Sequence, residues 1–234
     1  KPRLVFVNSM SDLFHARVPA EHVARVWLTM ATTSRHTYQI LTKRPERMRD
    51  WVNRCAVSPS GYITHDGTDP AGAYVGTGLI VGYPEPAYQI QQRGPRGGNR
   101  KQGQLPAYGW PLPNVWLGTS IESDRYAYRA DALRATPAAV RFISAEPLLG
   151  PLPSLDLTGI DWLILGGESG PGSRPMDLGW VRELIGMARD AGAAVFVKQL
   201  GLRWAGSGKG GDWSTWPEDL RVREYPADRQ AVPA

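Results

Sequence analysis

Cysteine is almost absent from this 234-residue chain, in which Cys55 stands alone. A single thiol excludes an intramolecular disulfide framework and any zinc or iron–sulfur centre held by this chain's cysteines alone. No apolar run approaches the roughly 20 residues that a membrane-spanning helix needs. The opening residues, KPRLVFVNSMSD, turn polar too soon for a secretory leader. Nucleophile-elbow, P-loop and HExxH zinc motifs are missing, and GGESG carries glutamate where a catalytic serine would stand. Lysine is also scarce, with five among the 27 basic residues. Genomic base composition alone produces such an arginine bias, so the bias by itself indicates no partner. These absences leave a cytoplasmic protein that does not enter a membrane as the expectation.

Hydrophobic residues make up 42% and charged residues 21%, the balance of a folded chain with one sizeable core. A net charge of +5 and a pI near 9.5 permit a polyanionic partner without requiring one. Six short apolar stretches each run into a polar motif. Leu4 to Val7 leads into NSMSD and a helix over Pro19–Ala31, where Val23, Val26, Trp27 and Met30 share a face. Tyr38 to Leu41 leads into TKRP and a helix near Glu46–Arg54, which includes the stretch just before Cys55. That helix is expected to extend through Cys55, making the thiol a small buried hydrophobe. Val115 to Leu117 leads into GTSIE and a helix near Asp124–Arg134. Val140 to Ile143 precedes SAEP, and Trp162 to Leu165 precedes GGESG and a helix near Leu178–Ala191. Ala194 to Val197 runs into KQLG.

Short apolar strands alternating with helices specify a parallel sheet covered by helices. Six units fit either a doubly wound sheet or most of an eight-stranded barrel. In both, function gathers beyond the carboxyl ends of the strands. Asp12, Lys43, Arg44, Glu122, Glu146, Glu168, Lys198 and Gln199 all occupy that position, which points to one shared site.

Residues 57–112 interrupt the rhythm with a Gly/Pro-rich insertion that includes a candidate hairpin near Tyr74–Val81. From Pro86 to Ile121 there is no carboxylate, while Arg93, Arg96, Arg100 and Lys101 sit among glycines. Such a segment is either a solvated insertion or a grip on nucleic-acid phosphates. Residues 202–234 form a C-terminal extension whose Trp204, Trp213, Trp216 and Tyr225 are expected to pack back onto the body. Fraying is expected beyond Asp228.

Seven segments carry a family resemblance: FVNSMSDLFH, QILTKRPERM, VWLGTSIES, RFISAEPLLG, LILGGESGPGSRPM, VFVKQLG and GGDWSTWPEDLRVREYP. In that order they resemble the bacteriophage gene product 37 / gene product 68 family, whose members have no established reaction. Members typically begin with a three-cysteine segment ending in C-x-x-C, ahead of the NSMSD motif. That segment resembles the cluster loop of radical S-adenosylmethionine enzymes, DNA photoproduct lyases among them. The resemblance implies an α/β fold, a partial (β/α) TIM-like barrel with about six parallel strands visible, over a single domain spanning 1–234. It also implies S-adenosylmethionine and an iron–sulfur cluster as cofactors of a full-length protein. This sequence lacks those cysteines and is expected either to be a fragment or to have lost the cluster loop, so by itself it would be inactive.

On this resemblance the catalytic candidates are Lys43, Glu146 and Lys198. The cofactor-binding candidates are Asn8, Ser9, Asp12, Thr119, Ser120, Glu122, Gly166, Gly167, Glu168, Ser169 and Gln199. Arg44, Arg93, Arg96, Arg100 and Lys101 are candidates for contact with DNA or RNA, and no metal site is expected. Glu168 can accept from an amino or ribose hydroxyl group, and the flanking glycines either admit a ligand or only make a tight turn. The lysines either meet an anion or neutralise the glutamates in a ring of ion pairs. The alternative to an enzyme is a non-catalytic barrel that binds nucleic acid or a partner through the 93–101 loop.

Overall fold

Six parallel strands form a single sheet in the order in which they occur in the chain: β1 (Leu4–Val7), β2 (Thr37–Thr42), β5 (Val115–Ser120), β6 (Val140–Ala145), β7 (Trp162–Gly166) and β8 (Ala194–Gln199). Between β2 and β5, the strands β3 (Cys55–Val57) and β4 (Ile63–His65) pair antiparallel as a separate ribbon. The computed structural model describes residues 1–57, 63–65, 110–206 and 210–226. The candidate hairpin at 74–81, the basic residues Arg93, Arg96, Arg100 and Lys101, and the residues beyond Asp228 lie outside them.

Pleating sends alternate strand residues to opposite faces. One face joins the helices α1 (Ala20–Thr32), α2 (Pro45–Val52), α3 (Arg129–Arg134) and α4 (Leu178–Asp190). Ile40, Leu117, Ile143, Leu163, Leu165, Val195 and Val197 meet Val23, Trp27, Met48, Leu133, Val181 and Leu184 in one continuous core. The other face carries a second cluster, Trp116, Val140, Phe142 and Trp162, with Leu4, Leu41, Ile164, Ala194 and Phe196 packed against it, all from strands. A doubly wound sheet reverses its strand order and covers both faces with helices. Here the order never reverses and the helices among the described residues share one side, so the sheet is a half-barrel with a concave inner face. This fits the expected partial barrel.

The inner face is closely fitted at its base. Gly118 lies opposite Phe142 in the ladder, and a Cβ there would fall 2.4 Å from the Phe142 ring. The ring therefore occupies the space that a side chain on β5 would take.

Two local expectations fail. The helix after TKRP ends at Val52, and Cys55 begins β3, where it is buried. The antiparallel partner Ile63–His65, which helical periodicity cannot reveal, draws Cys55 into a strand. The helix expected over Asp124–Arg134 is a 3-10 turn at Asp124–Tyr126 followed by the six-residue α3.

The C-terminal segment folds back as expected. A short helix, α5 (Leu202–Ala205), follows β8, and Trp216 and Leu220 then enter the helix-side core. Residues 222–224 run antiparallel along β8: Val197 N donates to Val222 O (2.8 Å) and Glu224 N to Val195 O (2.7 Å). The strap covers an edge that would otherwise offer unpaired backbone groups.

Candidate functional site

The carboxyl ends of the strands open at one end of the half-barrel, and four ion-paired carboxylates gather there. On the β1 side, Asp12 joins two strand-end loops. Its Oδ1 accepts from Phe14 N (2.9 Å) and Thr42 Oγ1 (2.7 Å), and its Oδ2 from Lys43 N (3.1 Å) and the Arg44 guanidinium (2.7 Å). Burial pushes this carboxyl up, but the bonds from Thr42, Lys43, Phe14 and Arg44 outweigh it and hold the group below its ordinary value. Asp12 and Arg44 thus meet each other, and Asp12 serves the loop junction. Asn8 adopts a left-handed conformation (φ 59°) and bonds Ser11, while Ser9 is exposed.

The next pair crosses from β2 to β5. Lys43 meets Glu122, which the Arg129 guanidinium also approaches at 3.5 Å. Arg129 is buried, donates to the Ser120 carbonyl (2.8 Å) and lies over the Tyr126 ring (4.0 Å to its centroid). Thr119 points to the helix side and donates to Thr42 O (2.9 Å), knitting β5 to β2. Ser120 and Ser144 are ladder partners on the inner face, between the apolar base and the charged mouth. Both residues are buried.

The third pair crosses β7. Glu146 accepts from Lys198 Nζ (2.8 Å) and Gln199 Nε2 (2.9 Å), and Gln199 also donates to Gly167 O (3.0 Å). To reach β8 the Glu146 side chain passes over Gly166, where a Cβ would stand 3.1 Å from it. A Cβ on Gly167 would stand 2.6 Å from the Leu200 carbonyl. The bare backbone of the two glycines thus accommodates the protein's own atoms. Beyond them, Glu168 accepts from Arg174 N (2.7 Å), Nε (2.9 Å) and Nη2 (2.6 Å). These bonds lower its pKa to about 2. Ser169 is exposed on the same loop.

The mouth therefore brings together Lys43, Ser120, Glu122, Glu146, Lys198 and Gln199, with Asp12 and Arg44 joined at one flank and Glu168 committed to Arg174 at the other. Arg129, Arg174, Ser144 and Thr42 belong to this constellation and were not among the residues singled out from sequence. Arg174 had a legible signal, lying six residues after Glu168 in the same glycine-rich loop. Arg129 had none, because its approach to Glu122 depends on how α3 packs.

The cluster implied by the resemblance needs three thiolates. This chain's residues do not fit it: Cys55 is the only cysteine, buried in β3 with its thiol toward the Trp51 carbonyl (3.6 Å). Among the described residues no three His, Cys, Asp or Glu side chains gather as a metal site. No helix among them is long and apolar enough to cross a membrane.

A family model described as a protein of unknown function (DUF5131) matches residues 1–218. No curated protein and no solved structure matches the chain.

Proposed function

This chain belongs to the DUF5131 family of proteins of unknown function, and from that premise we propose that the half-barrel's mouth is the active site of an enzyme acting on nucleic acid. Lys43 and Lys198 support this most directly. Their side chains are 59% and 56% exposed, whereas those of Glu122 and Glu146, which hold them, are 8% and 17% exposed. In an ordinary surface ion pair both partners are solvated and loosely placed. Here each carboxylate is sunk and fixes an ammonium group that still has N–H donors free to face an incoming anion.

The roles divide by position. Lys43 and Arg44, at the β2 end, suit the phosphates of a nucleic acid. Lys198, with Glu146 and Gln199, suits the carboxylate and amino group of S-adenosylmethionine, the ligand suggested by likeness to radical S-adenosylmethionine barrels and the bacteriophage gene product 37 / gene product 68 family. Glu146 and Lys198, in contact at 2.8 Å, are the pair assigned the acid–base work. No step through an iron–sulfur cluster follows from these residues, because they hold no thiolate set. The carboxyl ends of a parallel barrel's strands are where such folds place their chemistry.

Titration calorimetry with S-adenosylmethionine, and separately with a single-stranded oligonucleotide, tests the proposal. Lys198→Ala should weaken S-adenosylmethionine binding at least tenfold, and Lys43→Ala should weaken the oligonucleotide, with melting temperatures close to the parent protein's. Failure of the parent protein to bind either ligand would overturn it.

A further inference from the structure

The segment that closes the β8 edge also builds an exposed rim on the inner face. Arg223 lies opposite Phe196 in an antiparallel bridge, and opposed residues of such a pair share a face of the sheet. Tyr225, two residues on, falls on that face as well, with its ring 5.5 Å from Trp162 and 5.4 Å from Phe196. Lys198, two residues after Phe196, continues the same side into the mouth. From base to mouth the rim thus presents a ring, a ring beside a guanidinium, and an ammonium group.

Trp162 is buried, Phe196 is half-buried and Tyr225 is 41% exposed. The tyrosine is therefore seated on the protein's own rings while much of it still meets solvent. Among the described residues the large apolar side chains this open are Phe6, Met10, Tyr128 and Tyr225, and of these Tyr225 is the one whose ring packs on other rings. Arg223 is exposed, with its guanidinium 5.5 Å from the Phe196 centroid and 4.5 Å from that of Trp213. It donates to Val197 O and Lys198 O at 3.3 Å each and meets no carboxylate among the described residues. The neighbouring Glu224 carboxylate is taken up by Val195 N (3.0 Å). Rings and carbonyls thus fix the position of the guanidinium without cancelling its charge.

An open ring backed by other rings suits a flat partner, and a fixed, uncancelled cation beside it suits an anion. An acidic peptide supplies the charge without the flat ring, whereas single-stranded nucleic acid repeats both along one chain. We infer that the β8 rim is the approach track for single-stranded nucleic acid, with a base stacked on Tyr225 and Phe196 and the adjoining phosphate at Arg223. A strand lying there enters the mouth beside Lys198 and runs toward Lys43 and Arg44. This rests on the reading of the mouth as a nucleic-acid-directed site and names the surface that leads a strand to it.

The test measures binding of the full chain to a short single-stranded deoxyadenylate oligomer and to an abasic oligomer of the same length and charge. The parent protein should bind the base-bearing strand about tenfold more tightly than the abasic one. Tyr225→Ala should lose about that factor against the deoxyadenylate strand and nothing against the abasic one, while Tyr225→Phe should retain it. Arg223→Gln should weaken both strands and flatten the log–log salt dependence by about 0.7, one phosphate's share for a single strand. A merely structural tyrosine would lower the melting temperature of Tyr225→Ala and leave its oligomer affinity at the parent's, which overturns the inference. So does equal binding of the two strands, or binding of polyglutamate as tight as that of the oligomer. If Lys43→Ala weakens oligomer binding while Tyr225→Ala and Arg223→Gln do not, the rim falls and the reading of the mouth stands. A parent protein that binds no oligomer overturns both.

Discussion

Glu168 illustrates how local chemistry, set by a few neighbouring residues, commits a side chain before any ligand arrives. Three donors of Arg174 surround its carboxylate, and the pKa falls from an ordinary 4.5 to about 2. Because the folded-state value is the lower one, the pairing favours the folded loop fully above about pH 4.5 and loses that effect as the pH falls toward 2. Carboxyl-resolved NMR titration should give a Glu168 midpoint near 2, and Arg174→Ala should return it toward the ordinary value. A parent-protein midpoint above 4 would mean that the pair is open in solution. At this scale much was legible. The charged residues at the mouth were visible as strand-end motifs, because a strand's last residue is known from its hydrophobic run. Their pairings were not visible: whether Lys198 meets Glu146 or Glu168 depends on Gly166 letting one side chain cross β7.

At the scale of elements, the strap at 222–224 holds β8 in a way that no strand–helix alternation signals. Glu224 acts three times: its backbone N pairs with Val195 O, its carboxylate accepts from Val195 N (3.0 Å), and its carbonyl accepts from Trp162 Nε1 (3.0 Å). Tyr225 then lies 5.5 Å and 5.4 Å, centroid to centroid, from the Trp162 and Phe196 rings. Ending the chain at Arg221 should cost about 2–4 kcal/mol from the lost hydrogen bonds and ring contacts. It should also expose a pairing edge. Light scattering after size exclusion should show self-association of the shortened chain, and a stable monomer would show that the edge is harmless. The aromatic content of residues 213–225 indicated packing, but sequence could not say that the partner was a strand edge.

For the whole molecule, one helix-side core runs from Leu13 on the β1 loop to Trp216 and Leu220 near the end of the described chain. A core shared by elements so far apart in sequence should unfold as one unit. Urea transitions followed by far-ultraviolet circular dichroism and by tryptophan fluorescence should coincide. Trp216→Ala, which removes a side chain 2% exposed and its bond to Gly210 O (3.0 Å), should shift both together by about 3–5 kcal/mol. Separated transitions would mean that the C-terminal segment is an independent layer.

The amino-acid order by itself determined the strand-and-helix alternation and the placing of charge at the strand ends, because period-2 and period-3.6 burial are written directly in the positions of apolar residues. It also excluded a cluster held by these residues' thiolates alone, since one cysteine cannot supply three ligands. Tertiary structure alone decided between a doubly wound sheet and a half-barrel, because strand order and the side on which helices pack are long-range facts. It alone paired Lys43 with Glu122, closed the β8 edge with the strap, and set Ser120 opposite Ser144 on the inner face. Those outcomes depend on which strands lie side by side, and local residue spacing carries no record of that.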